Sequence, residues 1–460
     1  MSDVSRLLSR LPPGARQRLL RQVAGGKLAA LSGATRGETD RRDPQPPQTA
    51  DVSQWQEMRE LRRVLDLAPS NGIDIPYFRR IDGLAGPQVE IDGRHCLNFA
   101  SYDYLGLNGH PRIREAVIEA VDRYGTTVSG SRMVAGERAL HGELETELAA
   151  VYGCEAALTF VSGHATGVSV LSSLFGPHDL ICHDALAHNC LVMGAEASGA
   201  RRVAFAHNDW QAVDDLLTEH RGSFRRVVIV IEGLYSMDGD APDLQRFVDL
   251  KLRHNALLMV DEAHALGVLG ATGRGIAELA GVPGAAVDIW MGTLSKALCS
   301  AGGYIAGSQD LITLLKYITP AFVYSVGLPP PAAAAALTAL RLMAAEPERV
   351  ARLAALSKRF TEAATGLGFD LGYGGGHAIL PVITADSAAA LKLSQGLLER
   401  GVNVVPATYP GVEEGRARLR FFLSAAHTEA QMDRALAELH ALAVDLAPRC
   451  LGRGARSVGT

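Results

Sequence analysis

Two residues, Lys296 and Asp261, have surroundings that indicate chemistry rather than a structural role. Lys296 lies in a small polar turn, residues 292–298, with apolar residues on both sides. We expect its side chain to be drawn inward, where burial disfavours the charged form of a lysine. A Schiff base with an aldehyde cofactor gives such a lysine a function. Asp261 ends an apolar strand predicted over residues 256–260. A carboxylate there needs a cation, and the protonated ring nitrogen of pyridoxal phosphate (PLP) is one, so the pair predicts a PLP site.

Three other interpretations of nearby residues find less support. Residues 261–264 spell the DEAH box of helicases, but the sequence has no upstream GxxxxGK[ST] phosphate loop. His178, His183 and His188 recur every five residues, a step that does not place them on one helix face, and no HExxH pattern accompanies them. The glycines near position 270 have the wrong spacing for a dinucleotide fingerprint. We therefore expect no metal and no nicotinamide cofactor, and we expect one imidazole to stack on a cofactor ring instead.

Polar residues or glycines follow directly after several predicted apolar strands. The strands cover residues 158–161, 227–231, 256–260 and 289–291, and helical segments alternate with them. Because an α/β sheet presents its binding residues at the carboxyl edge of its strands, this pattern predicts a large, mostly parallel sheet. The turn at residues 162–167 opens a helix, where free backbone N–H groups suit a phosphate.

The pattern also predicts how the chain is divided. Residues 1–50 hold nine Lys/Arg and four Asp/Glu, which predicts a basic, flexible arm with a proline-rich linker. A hairpin is expected over residues 89–99, around Asp92-Gly93. One long helical stretch from Pro331 to about Gly366 is followed by predicted strands over 379–383, 402–405 and 419–423. The predicted boundaries are 1–50 for the arm, 51–105 for an N-terminal segment, 106–330 for a large cofactor-binding domain, 331–449 for a small α+β domain and 450–460 for a tail.

The composition excludes several classes of protein. The chain has 460 residues, 47% hydrophobic and 21% charged, and a net charge of −5, which argues against a generic nucleic-acid binder. No apolar run reaches the roughly 18–20 residues that a membrane span needs. Arg6 and Arg10 interrupt the start of any signal peptide. The six cysteines form no CxxC pair, so we expect reduced thiols in a cytoplasmic enzyme.

An ordered series of short motifs resembles the α-oxoamine synthase family of fold-type I PLP enzymes, from about Tyr77 to Leu446. Each motif alone is weak, but the whole series in order is specific. The motifs are SYDYLG (residues 101–106), GSR (130–132), Gly136, His141 with Glu143 and Glu145, SGH (162–164), Asp184 with His188, EGLYSMDG (232–239), DEAH (261–264), TLSK (293–296), Gly302-Gly303, Tyr324-Ser325 and RLR (418–420).

The resemblance implies four catalytic residues, all of which also contact the cofactor. Lys296 would hold PLP covalently, and Asp261 would pair with the ring nitrogen. His188 would stack on the face of the ring. His264 would bond the ring hydroxyl, with Ser236 nearby.

The resemblance also implies a phosphate site and a substrate site. Thr293 and the turn at Gly163 and His164 would hold the phosphate, assisted by Ser325 from the other subunit of a homodimer. Arg420 would bind the carboxylate of the amino acid. The apolar flanks of Arg420 place it on a strand rather than on a solvated surface.

The implied reaction is a decarboxylative condensation of an amino acid with an acyl thioester, giving an α-amino ketone. Tyr102 stands where glycine-using members carry asparagine, so serine, glycine and alanine all remain open as the substrate. The acyl donor is coenzyme A or an acyl carrier protein, and the basic arm favours the carrier protein. Two alternatives remain, an aminotransferase on the same fold and a non-catalytic partner subunit.

Overall fold

The computed structural model describes residues 50–70, 72–384 and 386–451. The chain divides into two compact units, Met1–Ile75 and Pro76–Thr460. The predicted basic arm lies outside the described residues except for Ala50, and so does the predicted tail after Leu451. The domain boundaries given above stay predictions.

The first unit contains one short turn and one helix among its described residues. The 3₁₀ turn Val52–Gln54 begins at Asp51, whose carboxylate accepts a hydrogen bond from Ser53 N at 2.9 Å. Such a side-chain acceptor satisfies a backbone donor that has no partner within the turn. Helix α1 (Gln56–Ser70) follows, and its central residues are largely exposed.

The second unit alternates strands and helices, as the sequence predicts. Its strands are β1 (Ile81–Asp82), β2 (Gln88–Ile91), β3 (Arg94–Asn98), β4 (Ala156–Phe160), β5 (Leu180–Asp184), β6 (Arg201–Phe205), β7 (Val227–Glu232), β8 (Leu257–Asp261), β9 (Ile289–Thr293), β10 (Gly303–Gly307), β11 (Ile379–Ile383), β12 (Val402–Asn403), β13 (Val405–Ala407) and β14 (Arg418–Phe422). Its helices are α2 (Pro111–Tyr124), α3 (Ala139–Tyr152), α4 (Gly163–Leu174), α5 (Asn189–Ala197), α6 (Trp210–His220), α7 (Leu244–Arg253), α8 (Ile276–Ala280), α9 (Gln309–Ile318), α10 (Pro320–Val323), α11 (Pro330–Ala345), α12 (Glu348–Gly366), α13 (Ser387–Glu399) and α14 (Glu429–Leu446).

The central sheet has seven strands in the order β4-β10-β9-β8-β7-β5-β6. Strand β10 runs antiparallel to both of its neighbours, and the pairs from β9 to β6 are parallel. Every residue of β7 is buried, because strands of a parallel sheet are covered by helices on both faces and are apolar throughout. The predicted large, mostly parallel sheet is confirmed.

Two smaller sheets complete the second unit. Strands β11, β14 and β13 form an antiparallel sheet in the predicted small C-terminal domain. Strands β2 and β3 form the predicted hairpin, and Asp92 and Gly93 both have positive φ angles, 49° and 77°. Two successive residues with positive φ are what a two-residue hairpin turn of the favoured hand requires. Strand β12 pairs in parallel with β3.

The prediction of one long helix from Pro331 to Gly366 is wrong, because the structure has two helices there. Helix α11 ends at Ala345 and α12 begins at Glu348. Pro347 lacks a backbone N–H, and its ring disfavours helical geometry in the residue before it. Glu346 accordingly adopts φ −126° and ψ 60°, outside the helical region.

The second unit contains a π-helical turn, Arg132–Gly136, that was not predicted from the sequence. Such turns occur frequently at functional sites. None of the helices in the described residues combines the length and apolar character needed to cross a bilayer.

Candidate active site

Three polar residues lie together at the carboxyl edge of the central sheet. Glu232 ends β7, Asp261 ends β8 and Thr293 ends β9. The pairing register places Glu232 directly beside Asp261. Because parallel strands end at the same edge, an apolar strand followed by a polar residue positions that residue at the rim of the sheet. Asp261 is 4% exposed and accepts a hydrogen bond from Ala263 N at 2.9 Å.

A cavity of about 390 Å³ opens at this edge. It is lined by seven of the residues predicted for the site, namely Lys296, Asp261, His188, His264, Thr293, Gly163 and His164. Residues far apart in sequence are therefore adjacent in space, as the predicted cofactor site requires.

Lys296 lies in the loop between β9 and β10 and lines this cavity. Burial lowers the pKa of its amine from the ordinary 10.5 to about 8, although the charges of Asp261 and Glu232 oppose that shift. Its Nζ lies 5.7 Å from the centroid of the Tyr102 ring. An amine with this pKa is partly neutral near neutral pH, so it can act as a nucleophile or a base.

A small polar cradle lies where α4 begins. Ser162 caps the helix, and Gly163 and His164 are its first residues. A Cβ at position 163 would come within 2.8 Å of Thr293 Oγ1, so only glycine fits beside that hydroxyl. Thr293 Oγ1 also lies 2.7 Å from Ser295 Oγ. Two hydroxyls beside the unpaired N–H groups of a helix N-terminus form a suitable phosphate site.

The two predicted histidines have different surroundings. Burial lowers the pKa of His188, and it lowers the pKa of the fully buried His264 well below the ordinary 6.5. His264 Nδ1 shares a hydrogen bond of 2.7 Å with the Tyr104 hydroxyl. His188 caps the N-terminus of α5. Both imidazoles are thus neutral near neutral pH, and each is held by a neighbouring residue, His264 by Tyr104 and His188 by Cys190.

The predicted substrate residues Tyr102 and Arg420, and the predicted cofactor residue Ser236, lie outside this cavity. Tyr102 lines a neighbouring cavity of about 330 Å³ that shares Lys296 with the first. Ser236 lines a larger one, of about 780 Å³, that shares His188. Arg420 donates from Nη1 to Ser236 O at 3.0 Å, and its guanidinium carbon lies 5.0 Å from the centroid of the Phe422 ring. The buried Nε of Arg420 has no hydrogen-bond partner among the described residues.

Two predicted site residues, Arg420 and Ser325, line none of these three cavities. Arg420 contacts one of them through its hydrogen bond to Ser236, whereas Ser325 makes no such hydrogen bond among the described residues. Ser325 lies after α10, half-buried between the exposed side chains of Tyr324 and Val326. This position agrees with the expectation that it serves the site of another subunit, which stays a prediction.

Three further residues of the site were given no role from the sequence. Glu232 lines the cavity, is 3% exposed, and has an Oε1 without a hydrogen-bond partner among the described residues. Burial and the neighbouring Asp261 raise its pKa well above the ordinary 4.5. Tyr104 supports His264, and Cys190 contacts His188. The polar residue after an apolar strand was a usable signal for Glu232, and Tyr104 lies in the SYDYLG motif, whereas Cys190 is recognisable only by its contact.

These residues fit PLP on several independent observations. The cradle at Gly163 suits the phosphate, and Lys296 has the lowered pKa that Schiff-base formation needs. Asp261 offers a buried carboxylate for the ring nitrogen. Arg420 keeps an unused donor for a substrate anion. Among the described residues no group of three or more His, Cys, Asp or Glu could hold a metal ion.

Comparisons with known proteins agree with this geometry. The sequence model of the family described as aminotransferase class I and II matches residues 94–439. An 8-amino-7-oxononanoate synthase of Methylobacterium nodulans is 44% identical over 359 residues, which cover 77% of this chain and 90% of that protein. The structure of serine palmitoyltransferase from Sphingomonas wittichii has a TM-score of 0.81 at 31% identity, covering 86% of this chain and 98% of that one.

A second solved structure carries the cofactor. Serine palmitoyltransferase from S. paucimobilis, solved with bound PLP and myriocin, has a TM-score of 0.81 at 28% identity and covers 85% of this chain and 98% of that one. The fold-type I architecture and the PLP cofactor expected from the sequence are confirmed. The chain therefore belongs to the aminotransferase class I and II family and is one of its α-oxoamine synthases, which are PLP-dependent acyltransferases.

Proposed function

We propose that this enzyme condenses a small amino acid, namely serine, glycine or alanine, with an acyl thioester. A bond forms between the α-carbon of the amino acid and the acyl carbonyl carbon. The thiol leaves, the carboxylate leaves as carbon dioxide, and an α-amino ketone is released. The observation that carries the proposal is the convergence of Lys296, Asp261, His188 and His264 on one cavity. The relatives are named for such a product, 8-amino-7-oxononanoate.

The roles proposed for the catalytic residues follow from their surroundings. When bound, PLP withdraws electrons from the α-carbon of the amino acid. Lys296, with a pKa of about 8, holds PLP and then takes the α-proton as a neutral amine. Asp261 supplies a negative charge at the ring nitrogen, and His264 donates to the ring hydroxyl. His188 covers the face of the ring.

The amino-acid side of the site favours small substrates. The Tyr102 ring lies between Lys296 and Phe422, with a centroid distance of 4.8 Å to the Phe422 ring. Arg420 lies over the same phenylalanine, and its Nε has no hydrogen-bond partner in the described part of the chain, which supports its role as the partner of the substrate carboxylate. The positive charge of Arg420 also helps to lower the pKa of Lys296.

The decisive experiment is a matrix of amino acids against acyl thioesters, read by thiol release and product mass. The thioesters should include each acyl group on coenzyme A and on an acyl carrier protein. We expect thiol and carbon dioxide in equal amounts, and a product that contains both substrates. An aminotransferase would instead release a keto acid without carbon dioxide. The Tyr102→Ala variant should accept larger amino acids, because it removes the ring beside Lys296.

The proposed role of Lys296 has a direct chemical test. Borohydride reduction of the holoenzyme should fix the cofactor on Lys296, as read by peptide mass spectrometry. The Lys296→Ala variant should lose the visible absorbance band of the covalent adduct. The exposed Lys392 offers a matched control, and Lys392→Ala should keep the band. Labelling of another lysine in the native enzyme would refute the assignment.

We further propose a homodimer in which the partner subunit's Ser325 completes the phosphate site. Tyr324 and Val134 are exposed apolar side chains, at 86% and 84%. They lie on neighbouring segments, since Ser131 Oγ donates to Val323 O at 2.7 Å and Gly327 N donates to Gly130 O at 3.0 Å. Exposed apolar groups on an ordered platform are typical of a protein interface.

A further inference from the structure

The imidazole of His188 is held by the residue two positions later in the chain. His188 is the N-cap of α5, and its Nδ1 accepts a hydrogen bond from Cys190 N at 3.3 Å. The thiol of Cys190 lies against the same nitrogen, with Sγ 3.0 Å from Nδ1. One ring nitrogen therefore faces two donors from one residue.

This contact determines where the ring proton of His188 resides. A neutral imidazole has one N–H and one acceptor nitrogen. Because Nδ1 accepts from a backbone N–H, the ring proton must be on Nε2. Burial raises the pKa of the Cys190 thiol well above its usual range, so the sulfur keeps its proton and can donate it to Nδ1. Both contacts therefore favour the same tautomer.

Packing leaves the Cys190 thiol little freedom to move away. Helices α4 and α5 approach closely, since a Cβ at Gly194 would lie 2.8 Å from Gly167 O. A Cβ at Gly167 would lie 2.7 Å from Cys190 Sγ, so that glycine leaves the space which the sulfur fills. Cys190 is 1% exposed and also lines the cofactor cavity.

We propose that Cys190 is a positioning residue that holds His188 as its Nε2–H tautomer. His188 then presents a hydrogen-bond donor to the substrate, rather than a lone pair. This inference rests on the proposed role of His188 at the ring face. It assigns to Cys190 no contact with the reacting atoms.

Several titratable groups face His188 and affect its protonation. The charge of Asp261 on β8 favours the imidazolium, whereas Lys296 and His164 oppose it. Glu232 on β7 accepts a hydrogen bond from the backbone N–H of His188. These groups are unchanged when only the Cys190 thiol is removed, so a substitution at this position isolates the effect of the sulfur.

The experiment uses the holoenzyme with ¹⁵N-labelled histidine. The NMR shifts of the two ring nitrogens report the tautomer directly, and a His188→Gln variant identifies the signals. We compare the native enzyme with Cys190→Ala, which removes the donor, and with Cys190→Ser, which keeps one. Cys182→Ala is the matched control, because Cys182 is equally buried in β5 but outside the cavity.

The native enzyme should show an unprotonated Nδ1 and a protonated Nε2 at neutral pH. In Cys190→Ala the titration midpoint of His188 should rise by about 0.5 to 1 pH unit, since a lost hydrogen bond to the neutral ring favours protonation. The apparent pKa on the acidic side of the pH profile of kcat/KM should rise by the same amount. Cys190→Ser should restore both values, and Cys182→Ala should change neither.

Two outcomes would overturn the inference. One is a proton on Nδ1 of His188 in the native enzyme. The other is a Cys190→Ala variant, with a circular dichroism spectrum like that of the native enzyme, in which the His188 titration is unchanged. The NMR readout needs no turnover, so it is independent of whether the proposed condensation is correct.

Discussion

Asp261 is a buried carboxylate that we propose to pair with the ring nitrogen of the cofactor. Asp261→Asn keeps the shape of the side chain and its hydrogen bond from Ala263 N, but it removes the negative charge. Leaving a buried charge without its partner costs about 3–5 kcal/mol. We therefore expect kcat to fall by about 10²- to 10³-fold. Steady-state kinetics with saturating PLP measure this fall, and a loss under tenfold would contradict the proposed role.

The pKa of Lys296 predicts how the rate of covalent adduct formation with PLP depends on pH. Adduct formation requires the neutral amine, and burial lowers the pKa of Lys296 from 10.5 to about 8. The rate at which apoenzyme forms the visible adduct should therefore rise with pH and level off above about pH 8. Stopped-flow absorbance from pH 6 to 10 measures this profile. A rate that still rises at pH 10 would show that the pKa of Lys296 is not lowered.

The same pH profile measured on the Asp261→Asn variant tests whether the charge of Asp261 raises the pKa of Lys296. The charge of Asp261 raises the pKa of Lys296, against the larger effect of burial. Removing that charge should move the midpoint to lower pH. A shift to higher pH would mean that Asp261 does not act on the amine as proposed.

The residues that could be predicted from the sequence carry their signal locally. Lys296 and Asp261 follow apolar strands, and the short motifs around them are ordered along the chain. Cys190 has no such signal, because its importance comes from a contact with His188. Tyr104 lies in the SYDYLG motif, but its contact with His264 could not be predicted from that motif. Glu232 had the local signal of a strand end, but its position beside Asp261 depends on the pairing of β7 with β8.

The junction between β4 and α4 is the element that we propose to bind the phosphate of the cofactor. Gly163→Ala places a Cβ 2.8 Å from Thr293 Oγ1 and 3.0 Å from Thr293 Cβ, so the threonine side chain has to shift. We expect at least a tenfold weaker affinity for PLP, because the hydroxyl must move from its position. Equilibrium titration of apoenzyme with PLP, followed by fluorescence, measures the Kd.

Gly142→Ala is the matched control for Gly163→Ala. Gly142 lies inside α3, and a Cβ there would meet nothing within 4 Å. Gly142→Ala should leave the Kd for PLP unchanged and should raise stability, because alanine favours a helix by about 0.5–1 kcal/mol over glycine. Equal weakening of PLP binding in both variants would contradict the proposed cradle.

At this scale four of the seven strands of the central sheet were predicted, whereas β5, β6 and β10 were not. Each predicted strand of the central sheet lies within a residue or two of the observed one, because a short apolar run with a polar end has few other interpretations. The long helix after residue 330 was not predicted correctly, since its apolar pattern hides the break that Pro347 imposes. The π-helical turn at Arg132–Gly136 carries Arg132, whose ion pairs with Glu137 and Glu145 cannot be recognised in a local sequence pattern.

For the whole molecule, we expect a dimer that is required for activity. A Val134→Glu, Tyr324→Glu double variant places charges on the proposed interface and should yield a monomer with weakened PLP binding. Sedimentation velocity measures the assembly state. Leu252→Glu, at an exposed position on α7, is the control and should stay dimeric. A fully active native monomer at high dilution would refute the shared site.

The basic arm leads to a separate prediction about the acyl donor. Residues 1–50 carry a net charge of +5, and charge complementarity with an acidic carrier protein mainly raises the rate of association. Deleting these residues should lower kcat/KM for acyl carrier protein substrates and leave coenzyme A substrates unaffected. High salt should produce the same loss in the full-length enzyme. Equal activity of both forms with both donors would show that the arm has no such role.

The distribution of the site along the chain determines the order in which its parts are synthesised. Gly163, His188, Asp261 and Lys296 all belong to the central sheet and its loops, whereas Arg420 comes from β14, far downstream. Chains fold from the N-terminus during translation. A nascent chain therefore has the residues proposed to bind the cofactor outside the ribosome before Arg420, the residue proposed to bind the amino acid, has been made.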